Sequence, residues 1–258
     1  CPFNCQYCLS ANTRGVRYFS WDRVQAEFIK LLDVGVPQAK LIDRTFNANP
    51  AWALRIFKFL VEESQRRGAF LASKPPTVFH FEISGDILTE ELLTYLGTVP
   101  AGLFQFEIGI QSTTPEVLEV VRRKSEWTKL ADNIQRLAKP GNIHLHLDLI
   151  AGLPEETYES FQKSFDDVYR LGGHRIQLGF LKLLKGSGLR LNSDKIGLVF
   201  DPCAPYEIIR TSTMSALDLV RLKGIESLLE QYHNSHRFTL TLWLICNRLY
   251  SSPFQFFE

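Results

Sequence analysis

The stretch Ile143–Arg170, IHLHLDLIAGLPEETYESFQKSFDDVYR, contains one complete strand–helix unit. Ile143–Ile150 alternates apolar and polar residues, as a strand does, and Gly152 and Pro154 then break it. Glu155–Arg170 carries apolar residues at helical spacing and predicts a helix. The same rhythm extends on both sides. Strands are expected over Ala39–Asp43, Val78–Ile83, Phe104–Ile110 and Ile176–Leu181. Helices are expected over Trp21–Leu32, Pro50–Arg66, Thr89–Tyr95, Pro115–Val121 and Lys129–Ala138. Ser20 and Asn49 read as N-caps, Pro50 and Pro115 as first-turn prolines, and Gly35, Gly68, Gly141 and Gly172 as helix stops.

Strand and helix in repeated alternation mean parallel strands joined by helical crossovers. Some strands read as apolar on both faces, the pattern of buried parallel strands. No G-x-G-x-x-G follows the first strand, so the expected class is α/β with a partial TIM-like barrel, not an open dinucleotide-binding sheet. After about residue 190 the rhythm ends. Residues 205–232 read as helical, and the apolar stretch 238–250 has no assignment. The expected division is a core over 1–190 and a mostly helical appendage over 191–258.

Composition narrows the class. The chain has 258 residues, 45% of them hydrophobic and 22% charged, within the globular range. Its 29 basic and 28 acidic residues give a net charge of +1 with no charged block, so neither duplex nucleic acid nor an anionic membrane is indicated as the main partner. The longest apolar run, Leu240–Cys246, is far short of the ~20 residues of a membrane span. The chain opens on Cys1 and its single methionine is Met214, so it is expected to be a piece of a longer protein.

Three of five cysteines lie in the opening C-P-F-N-C-Q-Y-C, as Cys1, Cys5 and Cys8. An odd, bunched set argues against a disulfide framework and for a metal role in a reduced, cytoplasmic compartment. Three thiolates are one short of the set that structural zinc or an ordinary electron-transfer cluster takes. A [4Fe–4S] cluster with one open iron fits that count; a zinc site completed by Cys203, Cys246 or a His is the alternative.

Acidic residues recur at or near strand C-termini: Asp43, Glu82, Glu107 and Asp148. Any one of them can be a rim residue satisfied by loop amides, but four on successive strands point to a polar ligand site. Other residues read as structural. Cys203 and Cys246 are taken as packing thiols, His144 and His146 as satisfied strand residues, and Arg122-Arg123-Lys124 as a solvated loop. Lys182 and Lys185 read as rim lysines that could meet an anionic substrate.

CxxxCxxC with an aromatic before the third Cys, on a βα chain, resembles the radical S-adenosylmethionine (radical SAM) superfamily. FEIGIQS at Phe106–Ser112 resembles its fourth-strand motif and DLIAGLPEET at Asp148–Thr157 its fifth. LIDRTFN at Leu41–Asn47 occupies the second-strand position, and KLLKGSGL at Lys182–Leu189 resembles the end of the sixth. Within the superfamily the chain is most similar to cobalamin-binding members with an uncharacterised C-terminal domain.

The resemblance implies a partial (βα)6 barrel whose first strand, with a B12-binding domain, lies upstream of Cys1. Cys1, Cys5 and Cys8 would hold a [4Fe-4S] cluster whose open iron is chelated by SAM. One-electron reduction would cleave SAM to methionine and a 5′-deoxyadenosyl radical, with the protein orienting the reactants and excluding water. Tyr7 would pack near the adenine. Glu107, Gln111 and Ser112 would address the ribose and amino-acid portion. Asp148 and the Ile150–Gly152 backbone would line the adenine and ribose side, and Asp43 would accept from the SAM amino group, although Asp-Arg-Thr-Phe stands where many members have Gly-Gly-Glu. Glu82 joins this set as a rim carboxylate. The onward reaction would be hydrogen abstraction or methyl transfer through cobalamin, with flavodoxin or ferredoxin as electron donor. A methylthiotransferase-like enzyme, a non-redox zinc-stabilised binding module and a piece inactive on its own are the other readings.

Overall fold

The computed structural model describes residues 1–13, 15–69 and 76–258. In chain order its elements are α1 (Trp21–Val34), β1 (Gln38–Lys40), α2 (Pro50–Arg66), β2 (Val78–Ile83), α3 (Glu90–Leu96), β3 (Phe104–Gln111), α4 (Pro115–Val120), α5 (Trp127–Ala138), β4 (His144–Ala151), α6 (Tyr158–Tyr169) and β5 (Arg175–Phe180). Then follow α7 (Gly188–Leu191), β6 (Val199–Phe200), β7 (Ile208–Arg210), α8 (Ala216–Tyr232), α9 (Thr239–Leu244) and α10 (Pro253–Phe257). The large sheet has the order β1-β2-β3-β4-β5, with β2 parallel to β1 and β3, and β4 parallel to β5. Such pairing requires the helical crossovers that the sequence rhythm predicts.

Local chemistry explains most boundaries. Asn49 accepts from the Trp52 amide and Pro50 opens α2, while Gly35 closes α1 in the left-handed region at φ 71°. Helix α6 starts three residues later than expected. Thr157 and Ser160 form a reciprocal capping box, and Glu155 sits at φ 64°, outside helical geometry. The helical reading of 205–232 is corrected in its first half. Ile208–Arg210 pairs antiparallel with Val199–Phe200, and the helix begins only at Ala216, behind a Ser215–Asp218 capping box. Paired β-branched Ile208 and Ile209 favour strand there.

Strands β3 and β4 alternate instead of being apolar on both faces, whereas β2 buries Phe79, His80 and Phe81 in succession. In β3, Phe104, Phe106, Ile108 and Ile110 are buried, while Gln105, Glu107, Gly109 and Gln111 are half-buried; β4 follows the same period. A strand with one polar, half-open face has that face available for a ligand.

Contacts divide the chain into two compact units. The first holds residues 1–2, 14–108 and 128–145. Its core is aromatic, with Phe46 and Phe81 ring centroids 4.4 Å apart and Phe57 edge-on to Phe81 at 5.1 Å. The second holds 3–13, 109–127 and 146–258. There Phe254 and Phe257, both buried, pack on Phe165 of α6 at 5.5 and 5.8 Å, and the Phe254 amide donates to Asp166 Oδ1 at 2.8 Å. Among the described residues, no helix is long and apolar enough to cross a membrane.

Candidate cofactor site

Backbone hydrogen bonds fix the cysteine loop. In the second unit, the Gln6 amide donates to Val121 O and the Gln6 carbonyl accepts from Leu189, both at 2.9 Å. Cys8 N donates to Cys5 O at 3.1 Å, and Cys8 Sγ accepts from the Ser10 amide at 3.4 Å. In the first unit, Cys1 Sγ lies 3.2 Å from Thr45 Oγ1. All three thiols are free. Among the described residues, no three His, Cys, Asp or Glu side chains stand in a metal-holding group, so the structure does not gather the Cys1, Cys5 and Cys8 thiols around one point, and their grouping rests on sequence spacing. Three thiols and no carboxylate or imidazole between Cys1 and Cys8 form a soft donor set, which suits iron–sulfur chemistry. The expected packing role holds for Cys246, which is buried and 3.7 Å from the Tyr169 hydroxyl, but not for Cys203, which is exposed in a turn.

Tyr7 lies under Arg123. Burial pushes the Tyr7 hydroxyl well above its ordinary range, against the opposing pull of the Arg123 guanidinium. Arg123 Nη1 donates to that hydroxyl at 3.4 Å and Nη2 to the Gly109 carbonyl. The reading of Arg122-Arg123-Lys124 as a solvated loop is therefore corrected for Arg123, which ties the cysteine loop to β3. The available signal was Gly109: a glycine inside an apolar strand marks a close approach. A Cβ at Gly109 would collide with the Gln111 amide. Gln111 itself has φ 76°, and its Oε1 is buried without a hydrogen-bond partner. An orphaned acceptor costs stability unless a ligand donor completes it.

In the first unit, Glu82 and Glu107 stand opposite each other in register on β2 and β3. Lys40 Nζ lies 2.9 Å from Glu107 and 3.9 Å from Glu82, and Arg44 reaches Glu82 at 3.6 Å. His80 Nε2 is 3.0 Å from Glu107 Oε2. Burial works upward on the Glu107 carboxyl, but Lys40 and His80 outweigh it and hold it below the ordinary carboxylate range. Burial, with Lys40 adding to it, lowers His80 and keeps the imidazole neutral at pH 7. Lys40, missed in the sequence reading, links the two carboxylates. Asp43 does not join them. Strand β1 ends at Lys40, and Asp43 lies beyond it, exposed, lining a cleft of about 310 Å³ with Tyr18, Phe28 and Trp52.

The remaining expected residues lie in the second unit. Asp148 and Ile150 are half-buried on β4, opposite Gln177 and Gly179 of β5. Ser112 is buried and its hydroxyl donates to Glu156 Oε1 at 2.7 Å. Ser164 Oγ stands 3.3 Å from Ser112 Oγ and accepts from the Thr113 amide at 3.0 Å. Glu156 is fully buried, and burial pushes its carboxyl up to about 8 despite the Ser112 hydrogen bond. In the sequence it read as one more helical residue. Gly152 has φ 82°, a conformation glycine adopts freely.

Sequentially ordered parallel strands, a half-open polar face and a cysteine-rich loop define an α/β protein built to carry a cofactor. Residues 1–168 match the radical SAM superfamily, and residues 194–258 match a family described as a protein of unknown function, DUF4080. The chain belongs to the radical SAM superfamily of enzymes. It is 26% identical to a 2-(S-pantetheinyl)-carbapenam-3-carboxylate methyltransferase of Streptantibioticus cattleyicolor, over 91% of this chain and 36% of that protein. It is 28% identical to a tRNA-2-methylthio-N(6)-dimethylallyladenosine synthase of Jannaschia sp., over 67% of this chain and 37% of that protein. The fold is shared with the radical SAM methyltransferase TsrM of Kitasatospora setae, solved with cobalamin and a [4Fe-4S] cluster bound. The TM-score is 0.63 at 17% identity, over 82% of this chain and 40% of that one. The chain thus spans about a third of the length of these curated relatives.

Proposed function

We propose that the chain is the radical SAM core of an enzyme that reductively cleaves SAM at a [4Fe-4S] cluster held by Cys1, Cys5 and Cys8. The observation that supports this reading is the donor set, three free thiols within eight residues, at the start of a segment, 1–168, that matches the radical SAM superfamily. When bound, the cluster supplies the electron that breaks the carbon–sulfur bond of SAM. The protein's own work is to bind and orient. Tyr7, held by Arg123, offers a ring to the adenine. Gln111 offers a buried, unpartnered amide oxygen to a donor group of SAM. Glu82 and Glu107, already shared by Lys40, form a polar wall, with Asp148 and Ile150–Gly152 on the nucleoside side. Ser112 acts from behind, through Glu156. Asp43 remains a candidate for the SAM amino group.

We assign the core to residues 1–190 and an appendage to 191–258. The onward step favoured is methyl transfer through cobalamin bound by an upstream domain, because two of the relatives named above are methyltransferases. Hydrogen abstraction is the other outcome, and the methylthio-adenosine synthase relative keeps a methylthiotransferase-like reaction as a second reading. Flavodoxin or ferredoxin would deliver the electron, in the cytoplasm.

Anaerobic reconstitution of the full-length protein with iron and sulfide tests this. About four irons per chain and a SAM-dependent spectral change after reduction are expected. Cys1→Ala, Cys5→Ala or Cys8→Ala should each abolish iron loading, while Cys203→Ala and Cys246→Ala leave it intact. About one zinc per chain and no colour would establish the zinc-stabilised module instead.

A further inference from the structure

The segment matched only to a family of unknown function closes over the loop that leaves β4. That loop, Gly152–Thr157, holds two left-handed residues, Gly152 at φ 82° and Glu155 at φ 64°. A non-glycine residue in that region persists only when its surroundings hold it there. Residues 208–219 meet this loop on either side of Glu155, at Gly152 and at Glu156. A Cβ built on Gly152 would approach Ile208 Cγ2 to 2.7 Å and Leu219 Cδ2 to 3.4 Å, so these side chains fill the space a Gly152 side chain would need. Thr213 Oγ1 donates to the Glu156 carbonyl at 2.8 Å. The Ile208 amide donates to Leu181 O at 2.9 Å, and the Leu181 amide donates to Ala151 O at 3.0 Å, which links β7 through Leu181 to the residue before Gly152.

The turn that carries Thr213 is itself fixed. Thr211 Oγ1 accepts from the amides of Thr213 and Met214 at 3.1 and 2.9 Å, and the Thr211 amide donates to Met214 O at 2.9 Å. Ile208, Thr211, Met214 and Leu219 are all buried. Ordinary packing of an appendage would need only apolar bulk against apolar bulk. Here a hydroxyl is aimed at one carbonyl of the loop, and an isoleucine takes the place of an absent Cβ.

We propose that the C-terminal module is a clamp on the Gly152–Thr157 loop, with Thr213 and Ile208 as positioning residues for the nucleoside side of SAM. The clamp stands on the contacts above; its link to SAM rests on the function proposed in the preceding subsection. The module thereby gains a role in cofactor binding without touching the cofactor. Ser112 reaches the same glutamate from β3, so Glu156 joins the module to two of the cofactor-facing strand ends.

The test uses the full-length protein with its cluster reconstituted. Thr213→Val removes the donor at nearly constant shape, and Ile208→Ala removes the filling side chain. Thr213→Ser and Ile208→Val are the conservative partners, and Ile209→Ala, at an exposed neighbouring position, is the control. Two quantities are read: hydrogen exchange of the 151–157 peptide, and the SAM dissociation constant by equilibrium dialysis. Faster exchange and about fivefold weaker SAM binding are expected for Thr213→Val, the fold-change of one lost neutral hydrogen bond. Thr213→Ser should restore both, with iron content unchanged throughout. Unaltered exchange in both Thr213→Val and Ile208→Ala would overturn the clamp. Faster exchange with an unaltered dissociation constant would overturn the positioning role. Absence of SAM binding in the unsubstituted protein would instead overturn the SAM reading, and the exchange data would still decide the clamp.

Discussion

At Glu156, burial has a direct chemical consequence. Its carboxyl is pushed up to about 8 in the folded chain, against an ordinary value of 4.5. A carboxyl raised on folding holds its proton in the native state while the unfolded chain releases it. Stability is therefore full below about 4.5 and is lost as pH rises through about 8, on the order of a few kcal/mol in all. Thermal midpoints of the native chain should fall between pH 5 and pH 8, and Glu156→Gln should flatten that slope. Parallel curves for the two proteins would show that Glu156 is not the group responsible. At this scale the sequence marks some residues and hides others. Cys1, Cys5 and Cys8 stand out by spacing alone. Arg123 and Glu156 do not, because a basic run and a helix-start glutamate look solvated until tertiary contacts bury them.

At the scale of the element, strong local signals were sufficient. Asn49–Pro50 and the apolar spacing behind it fix α2, and Val78–Ile83 is bounded as expected. Boundaries moved where local preferences competed. Glu155 has good helix propensity, yet the chain takes a left-handed turn there and α6 waits for the Thr157 cap. Thr157→Ala should cost about 1 kcal/mol of stability, read from urea denaturation, and leave iron loading unchanged. Residues 205–215 misled for another reason. A short antiparallel strand draws its pairing from β6, and a periodicity window cannot see a partner.

At the scale of the whole molecule, the appendage is not a separable ornament. Phe254 and Phe257 seal Phe165, the Phe254 amide caps Asp166, and the Tyr206–Ile208 segment hydrogen-bonds with Leu181 and Leu183 behind β5. Deleting residues 191–258 removes all of these and uncovers aromatic core surface. The truncated chain should bind a hydrophobic dye and be cleaved rapidly by protease, whereas a compact, protease-resistant 1–190 piece would show the core to be autonomous. The sequence rhythm gave no warning of this dependence, since the contacts join residues as far apart as Phe165 and Phe257.

The cysteine loop has a consequence in time. Its Gln6 carbonyl accepts from Leu189, so the earliest part of this segment to be synthesised is secured by one of the later parts. At ~5–20 residues per second, the loop waits roughly 10–40 s between leaving the ribosome's active centre and gaining that anchor. During that interval the loop lacks its Leu189 partner and has only the earlier ones, of which Val121 O accepts from the Gln6 amide. The loop therefore reaches its full set of backbone partners only once residue 189 has been made, so its final geometry is a late product of synthesis.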